Sequence, residues 1–156
     1  MVPLFHLALP VVDLKSTRTF YCGLLGCAEG RSAERWVDVD FFGHQLSFHV
    51  VPGRAGIVGR NPVDGDAVPI PHFGAILPWE DFWALAERLR VHGADFVISP
   101  RIRFEGQVGE QATMFILDPS DNALEFKSFK DPSRVFATAI DTPGAAGHPH
   151  AADERE

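Results

Sequence analysis

His6, His72 and Glu125 are the side chains of this 156-residue chain whose types, taken together, suit metal chemistry. Two imidazoles and one carboxylate on adjacent strands make a facial triad, which leaves one face of an octahedral divalent cation open for substrate and for oxygen or water. A lone histidine at the start of a strand is more often hydrogen-bonded structure than a ligand; these are singled out by where they fall in the chain. His6-Leu7-Ala8-Leu9-Pro10 opens one segment and His72-Phe73-Gly74-Ala75-Ile76-Leu77-Pro78 opens another, and Gly26 and Gly93 follow their histidines by 20 and 21 residues. Gly43-His44-Gln45-Leu46-Ser47-Phe48 then aligns with Asp121-Asn122-Ala123-Leu124-Glu125-Phe126, setting Ser47 opposite Glu125. A repeat of this kind usually packs about a pseudo-two-fold axis. The expectation is that His6 and His72 converge, with Glu125 and Ser47 beside them.

The elements that must position these residues follow from turns and periodicity. Asp118-Pro119-Ser120-Asp121-Asn122 is turn chemistry, with proline fixing φ and the Asp and Asn side chains folding back on their own backbone. From Ala123 to Phe129 the residues alternate, so Leu124, Phe126 and Ser128 face one way while Ala123, Glu125, Lys127 and Phe129 face the other. On that pattern alone a glutamate is most often solvated on the wet face of an antiparallel strand. Earlier in the chain, Phe5 to Val12 reads as a strand, and Asp13 caps a helix from about Leu14 to Leu25 that turns Phe20, Leu24 and Leu25 inward and ends at Gly26. A short irregular segment precedes a strand from Ala33 to Phe42, and Gly43-His44 turns into another from Gln45 to Val51.

Pro52 to Pro69 reads as a loop or linker, after which the order restarts. Pro71 to Pro78 is a strand, Glu80 to His92 an amphipathic helix with Phe82, Leu85, Ala86 and Leu89 on one face, and Gly93 its C-cap. Phe96 to Ile98 begins a strand, Arg101 to Gly109 is a polar loop or hairpin, and Gln111 to Leu117 is a strand. The fold class expected is α+β, two βαβββ modules forming a curved mixed sheet around a central metal site. One domain spans 1–130, with modules at about 4–51 and 70–130 joined by linker 52–69, and a tail at 131–156. Val135 and Phe136 are expected to dock the start of that tail, and Thr142 to Glu156 to be loosely ordered, with His148-Pro149-His150 a weak adventitious metal site.

Composition bounds the function. With 46% hydrophobic and 11% aromatic residues, the chain can build the core of a single domain. A net charge of -7 and a pI near 5.4 argue against nucleic acid or an anionic membrane as partner. No apolar run approaches a membrane span, and Met1-Val2-Pro3-Leu4-Phe5-His6 has no basic region ahead of an apolar one, so the expectation is a soluble cytoplasmic protein. Cys22 and Cys27 suit neither a zinc knuckle nor a disulfide framework and read as reduced structural thiols.

From about Leu4 to Lys130 the chain resembles the vicinal oxygen chelate superfamily, which includes glyoxalase I, type I extradiol dioxygenases, fosfomycin-resistance thiol transferases and bleomycin-binding proteins. The residues carrying the resemblance are Phe5-His6-Leu7-Ala8-Leu9-Pro10-Val11, Phe20-Tyr21-Cys22-Gly23-Leu24-Leu25-Gly26, Pro71-His72-Phe73-Gly74 and Asp118 to Phe126. With Phe42-Gly43-His44-Gln45-Leu46 and Gly109-Glu110-Gln111-Ala112-Thr113-Met114-Phe115, it looks most like small two-module proteins of the extradiol-dioxygenase-like group. The resemblance implies His6, His72 and Glu125 as ligands of iron(II) or manganese(II), with zinc or nickel also accepted. The fourth place is Ser47, where glyoxalase I supplies a carboxylate; this departure counts against a glyoxalase I reading.

The activity implied is a dioxygenase acting on an anionic, catechol-like substrate that chelates through two adjacent oxygens. Acid/base candidates are His49, His44 and Gln111, with Gln45 and Ser47 beside the centre and Arg101 and Arg103 as anion contacts. Extradiol enzymes also use a tyrosine near the metal, and the single tyrosine here, Tyr21, is expected to point into helix–sheet packing. Two other readings share the fold. One is a glyoxalase- or fosfomycin-type lyase or thiol transferase, for which Arg101, Arg103 and Lys127 are a thin cationic cluster, and the other a metal-free binding module. The resemblance further implies a homodimer acting on a small molecule.

Overall fold

In the computed structural model the described residues are 3–53, 59–63, 66–107 and 109–137. The first strand, β1, is His6–Val11. Asp13 is extended and accepts the Ser16 backbone N–H at 2.8 Å, capping α1, Leu14–Arg18. The helix widens into a π-helical turn at Thr19–Leu24, and Gly26, at a φ of 77°, lets the chain turn out of it. Three strands follow: β2 (Ala28–Ala33), β3 (Trp36–Phe41) and β4 (His44–Val50). The expected irregular segment before Ala33 is thus a strand. No apolar alternation announces it, because every residue of β2 is exposed and it is held by pairing with β3.

The expected linker is also folded in part, as a hairpin of β5 (Gly59–Val63) and β6 (Asp66–Ile70). The second module then runs through β7 (Phe73–Ile76), α2 (Trp79–Val91), β8 (Phe96–Arg103), β9 (Gln111–Leu117) and β10 (Ala123–Phe129). Of the polar loop or hairpin expected from Arg101 to Gly109, the structure has the hairpin: pairing of Arg101 with Thr113 and Arg103 with Gln111 extends β8 through both arginines before the chain turns into β9.

Each module makes its own four-stranded sheet, ordered β1-β4-β3-β2 and β7-β10-β9-β8, with the first strand parallel to the last and the rest antiparallel. The registers repeat as well. His6 faces Gln45 and Phe73 faces Leu124, which puts His72 level with Ala123, the residue that matches Gln45.

A single apolar core joins the modules, with Phe20, Tyr21, Val37, Val39, Phe41, Leu46 and Phe48 from the first and Phe82, Leu89, Met114, Ile116, Leu124 and Phe126 from the second. Phe41 meets Phe73 and Phe126 at ring-centroid distances of 5.7 and 6.3 Å. The Asp118 turn is the polar bridge between modules. Asp118 Oδ1 accepts the N–H groups of Ser120 and Asn122, while Oδ2 accepts Asn122 Nδ2 and the Tyr21 hydroxyl. Asn122 Nδ2 also reaches the Pro10 carbonyl at 3.1 Å, and the Val12 N–H donates to Ser120 Oγ at 3.0 Å. Tyr21 is fully buried in this arrangement, its ring 4.2 Å from that of Phe48.

At the end of the described chain, Phe136 is 91% exposed, so the expected docking through it does not occur; Val135 is half-buried. Thr142 to Glu156, with His148 and His150, lie outside the described residues. Both cysteines are free, and burial pushes the Cys27 thiol up to about 12. No described helix is long and apolar enough to cross a membrane.

Candidate metal centre

Glu125 is buried at mid-strand on β10, against the simplest expectation for a glutamate in an alternating strand. Its Oε1 accepts the Thr113 hydroxyl at 2.7 Å, and its Oε2 faces His72 Nε2 at 3.1 Å. His72 Nδ1 lies 2.6 Å from the Pro69 carbonyl oxygen. A carbonyl can only accept, so Nδ1 carries a proton and donates it, and Nε2 is the nitrogen turned to Glu125, open to a metal when the ring is neutral. A lone pair turned toward a carboxylate oxygen at that distance calls for a cation or a proton between them. This is the orientation a metal-binding histidine has when its other nitrogen is tied to a backbone carbonyl.

The closeness of β7 to β10 has a sequence cause. Gly74 pairs with Glu125, and a Cβ at Gly74 would be driven into the Glu125 carbonyl oxygen. Glycine is what lets His72, two residues earlier, approach the carboxylate.

The matching face of the first module is wired differently. His6 Nδ1 lies 2.9 Å from Gln45 Oε1, and Gln45 Nε2 donates to Asp38 Oδ2 at 3.1 Å. Because a carboxylate only accepts, the Gln45 amide must turn its nitrogen to Asp38 and its oxygen to His6. His6 Nδ1 therefore donates and its Nε2 is open to a metal when the ring is neutral, as in His72. The Ser47 hydroxyl, at the position matching Glu125, donates to Asp38 Oδ1 at 2.5 Å, and Arg31 Nη2 stands 3.3 Å from Asp38 Oδ2. The Ser47 hydroxyl, then Arg31 and Gln45, hold the Asp38 carboxyl below its ordinary 3.8 against the upward push of burial.

The expected convergence of the four matched positions does not occur within one chain. Among the described residues no three His, Cys, Asp or Glu side chains form a group that could hold a metal ion. The reason lies in the packing: the two modules bury their apolar faces in a common core, so each polar face keeps its own partners. An open cleft of about 510 Å³ lies over His6, Arg31, Asp38, His44 and Gln45, and not over the His72–Glu125 pair.

Gln45 is thus beside His6, and Ser47 is joined to it through Asp38, whereas Gln111 is not beside Glu125: it pairs with Phe129, four residues along β9 from Phe115, which faces Glu125, or roughly 13 Å. His49 is exposed and stacked on Trp36, and His44 Nδ1 accepts the Phe5 N–H at 3.1 Å. Arg101 is paired with Asp66 of β6, and the Arg103 guanidinium lies 5.4 Å from the Phe104 ring centroid. Sequence reasoning passed over Asp38 and Thr113. The signal for Asp38 was there: it alternates with Val37 and Val39, and pairing of β3 with β4 sets it across from Ser47.

Residues 4–126 match the family model described as the Glyoxalase/Bleomycin resistance protein/Dioxygenase superfamily. Among solved structures, a glyoxalase/bleomycin resistance protein/dioxygenase from Alicyclobacillus acidocaldarius is 33% identical, covers 86% of this chain and 97% of its own, and superposes with a TM-score of 0.71. The fosfomycin resistance protein FosX from Listeria monocytogenes is similar in fold, with 18% identity, 82% of this chain and 93% of that chain covered, and a TM-score of 0.61. So is a glyoxalase/dioxygenase from Nostoc punctiforme, at 15% identity, 83% and 92% coverage and a TM-score of 0.61. No curated protein matches the chain.

Proposed function

Because the chain belongs to the glyoxalase/bleomycin resistance protein/dioxygenase superfamily, we propose that it is a divalent-metal enzyme of the extradiol dioxygenase type. In this reading His72 and Glu125 of one chain and His6 of a second copy hold iron(II) or manganese(II). The observation that carries it is the orientation of the two histidines: each commits Nδ1 to an acceptor, which leaves Nε2 as the nitrogen available to a metal, and Nε2 of His72 already faces a buried carboxylate. The donor set of two neutral imidazoles and one carboxylate fits a divalent cation that keeps open positions.

A second copy is favoured by the edges. β1 and β7, which carry or adjoin the histidines, are both edge strands, and Leu4, Phe5 and Ile76 beside them are exposed apolar residues. Unpaired edges flanked by apolar side chains are surfaces that a partner covers.

When bound, such a metal supplies Lewis acidity toward a substrate with two adjacent oxygens and redox chemistry with dioxygen. The chain's own residues orient and select. Asp38, through Gln45, fixes the His6 ring; Thr113 and the Pro69 carbonyl fix Glu125 and His72. Gln45 and Ser47 line the first-module face offered to the substrate, and Arg101 is its anion contact once released from Asp66. Arg103 serves as a second contact. His49, on the same strand face as Ser47, is the acid/base candidate that the placement favours over Gln111.

The test is metal analysis of anaerobically purified protein beside Glu125→Ala, followed by oxygen uptake with catechols. Near-stoichiometric iron or manganese that is lost in the variant, together with oxygen consumption, is the expected result. Metal without oxygen uptake favours the thiol-transfer or lyase chemistry also found on this fold. A protein that binds no divalent metal is a small-molecule binding module.

A further inference from the structure

Lys127 stands two residues beyond Glu125 on β10 and rises from the same face. Its Nζ lies 3.2 Å from Glu125 Oε2, the oxygen that His72 Nε2 meets at 3.1 Å, while Oε1 is taken by Thr113. Oε2 is therefore the oxygen left for a cation, and in the chain by itself that cation is an ammonium. An ammonium and a divalent ion cannot share this oxygen at contact distance, because they repel each other and compete for its lone pairs. The lysine is free to leave: its side chain is 35% exposed against 9% for Glu125, and its flexible four-carbon stem keeps the charge near water.

We propose that Lys127 is a resident counter-cation of the centre, holding Glu125 in the metal-free protein, yielding it to the divalent metal, and then serving as the contact for a negatively charged substrate oxygen. This rests on the reading of His72 and Glu125 as metal ligands. It makes the substrate an anion and gives the metal-free site a stable, neutralised form.

The experiment is a Mn²⁺ titration of metal-free protein, read from the electron paramagnetic resonance of free Mn²⁺, for wild type, Lys127→Met, Lys127→Arg and Lys130→Met. Lys130 controls for general charge, since its Nζ lies over the Trp79 ring at 4.5 Å. Lys127→Met binds Mn²⁺ more tightly by roughly ten- to a hundredfold, the worth of a hydrogen bond to a charged group. Lys127→Arg binds it more weakly, because a guanidinium grips a carboxylate at two points. Lys130→Met stays close to wild type. Metal-free Lys127→Met also melts below metal-free wild type, and Mn²⁺ raises its Tm by more. Equal Mn²⁺ affinity for Lys127→Met and wild type, or a gain no larger than that of Lys130→Met, overturns the inference and leaves the metal centre standing. Absence of Mn²⁺ binding in every variant overturns the metal centre, and this inference with it. Oxalate, a dianion with two adjacent oxygens, binds Mn²⁺-loaded wild type more tightly than loaded Lys127→Met; equal affinity overturns the substrate half of the proposal.

Discussion

The polar faces of the two modules share a strand order and a register, yet they place their carboxylates differently. In the second module the carboxylate is on the last strand, at Glu125, with the His72 imidazole against it. In the first, that position is Ser47, and the acid lies one strand over at Asp38, already engaged by Ser47, Gln45 and Arg31. The backbone differs to match: Gly74 faces Glu125, where a Cβ would collide with the Glu125 carbonyl, whereas Ala8 faces Ser47. One half of a duplicated fold thus sets its imidazole against a buried carboxylate, and the other ties its imidazole to an amide.

Truncating the side chain at each matched position tests that division most directly. Glu125→Ala is expected to abolish metal binding, whereas Ser47→Ala leaves metal content near wild type; both are read by metal analysis. Gly74→Ala is expected to push β7 from β10, lowering stability by about 1–3 kcal/mol as an overpacked site and costing most of the bound metal. Ala8→Gly, at the matching position, changes metal content little. If the two halves meet across a dimer, His6→Ala and Glu125→Ala are each metal-poor, but an equal mixture refolded together regains about a quarter of the wild-type metal, because half of the random dimers hold one intact site. No recovery on mixing removes the second copy from the centre.

Asp38→Asn probes the orienting half. Asp38 is buried and accepts from a hydroxyl, a guanidinium and an amide, so its replacement is expected to cost about 1–3 kcal/mol in denaturant unfolding at neutral pH. Its folded pKa lies below 3.8, so its contribution is present above that value and is lost as the pH falls through the lower folded value. The gap between wild type and Asp38→Asn therefore stays level in the neutral range and narrows only below the ordinary aspartate pKa. Arg31→Ala should have the smallest effect, at most about 1 kcal/mol, because its side chain is 81% exposed and the pair is screened by water.

Much of the fold was legible because its signals are local. Asp13, Gly26 and Gly93 mark helix ends by backbone chemistry, β10 follows a turn and alternates in sequence, and β9 is a short, mostly apolar run ended by that turn, so their bounds could be read off the chain. β2 and the β5–β6 hairpin were not legible, since AEGRSA carries no apolar stripe and Gly59 to Ile70 reads as turn residues; their order comes from pairing partners. The site divides in the same way. Overlaying the two halves located His6, His72, Ser47 and Glu125, but it could not say which partners each would meet.

The sequence by itself determined the duplication, the strand face of Glu125 and the turn that carries Asp118. Each of these depends on spacing along one segment, or on residues whose preferred dihedrals hold in any context. The tertiary structure alone decided that Glu125 is buried between Thr113, His72 and Lys127, that Asp38 stands behind Ser47, and that the two half-sites do not meet within one chain. Periodicity fixes the side of a strand on which a side chain lies. What stands opposite it depends on register, on close approaches such as that of Gly74, and on which faces the shared core buries, and these are properties of the packed chain.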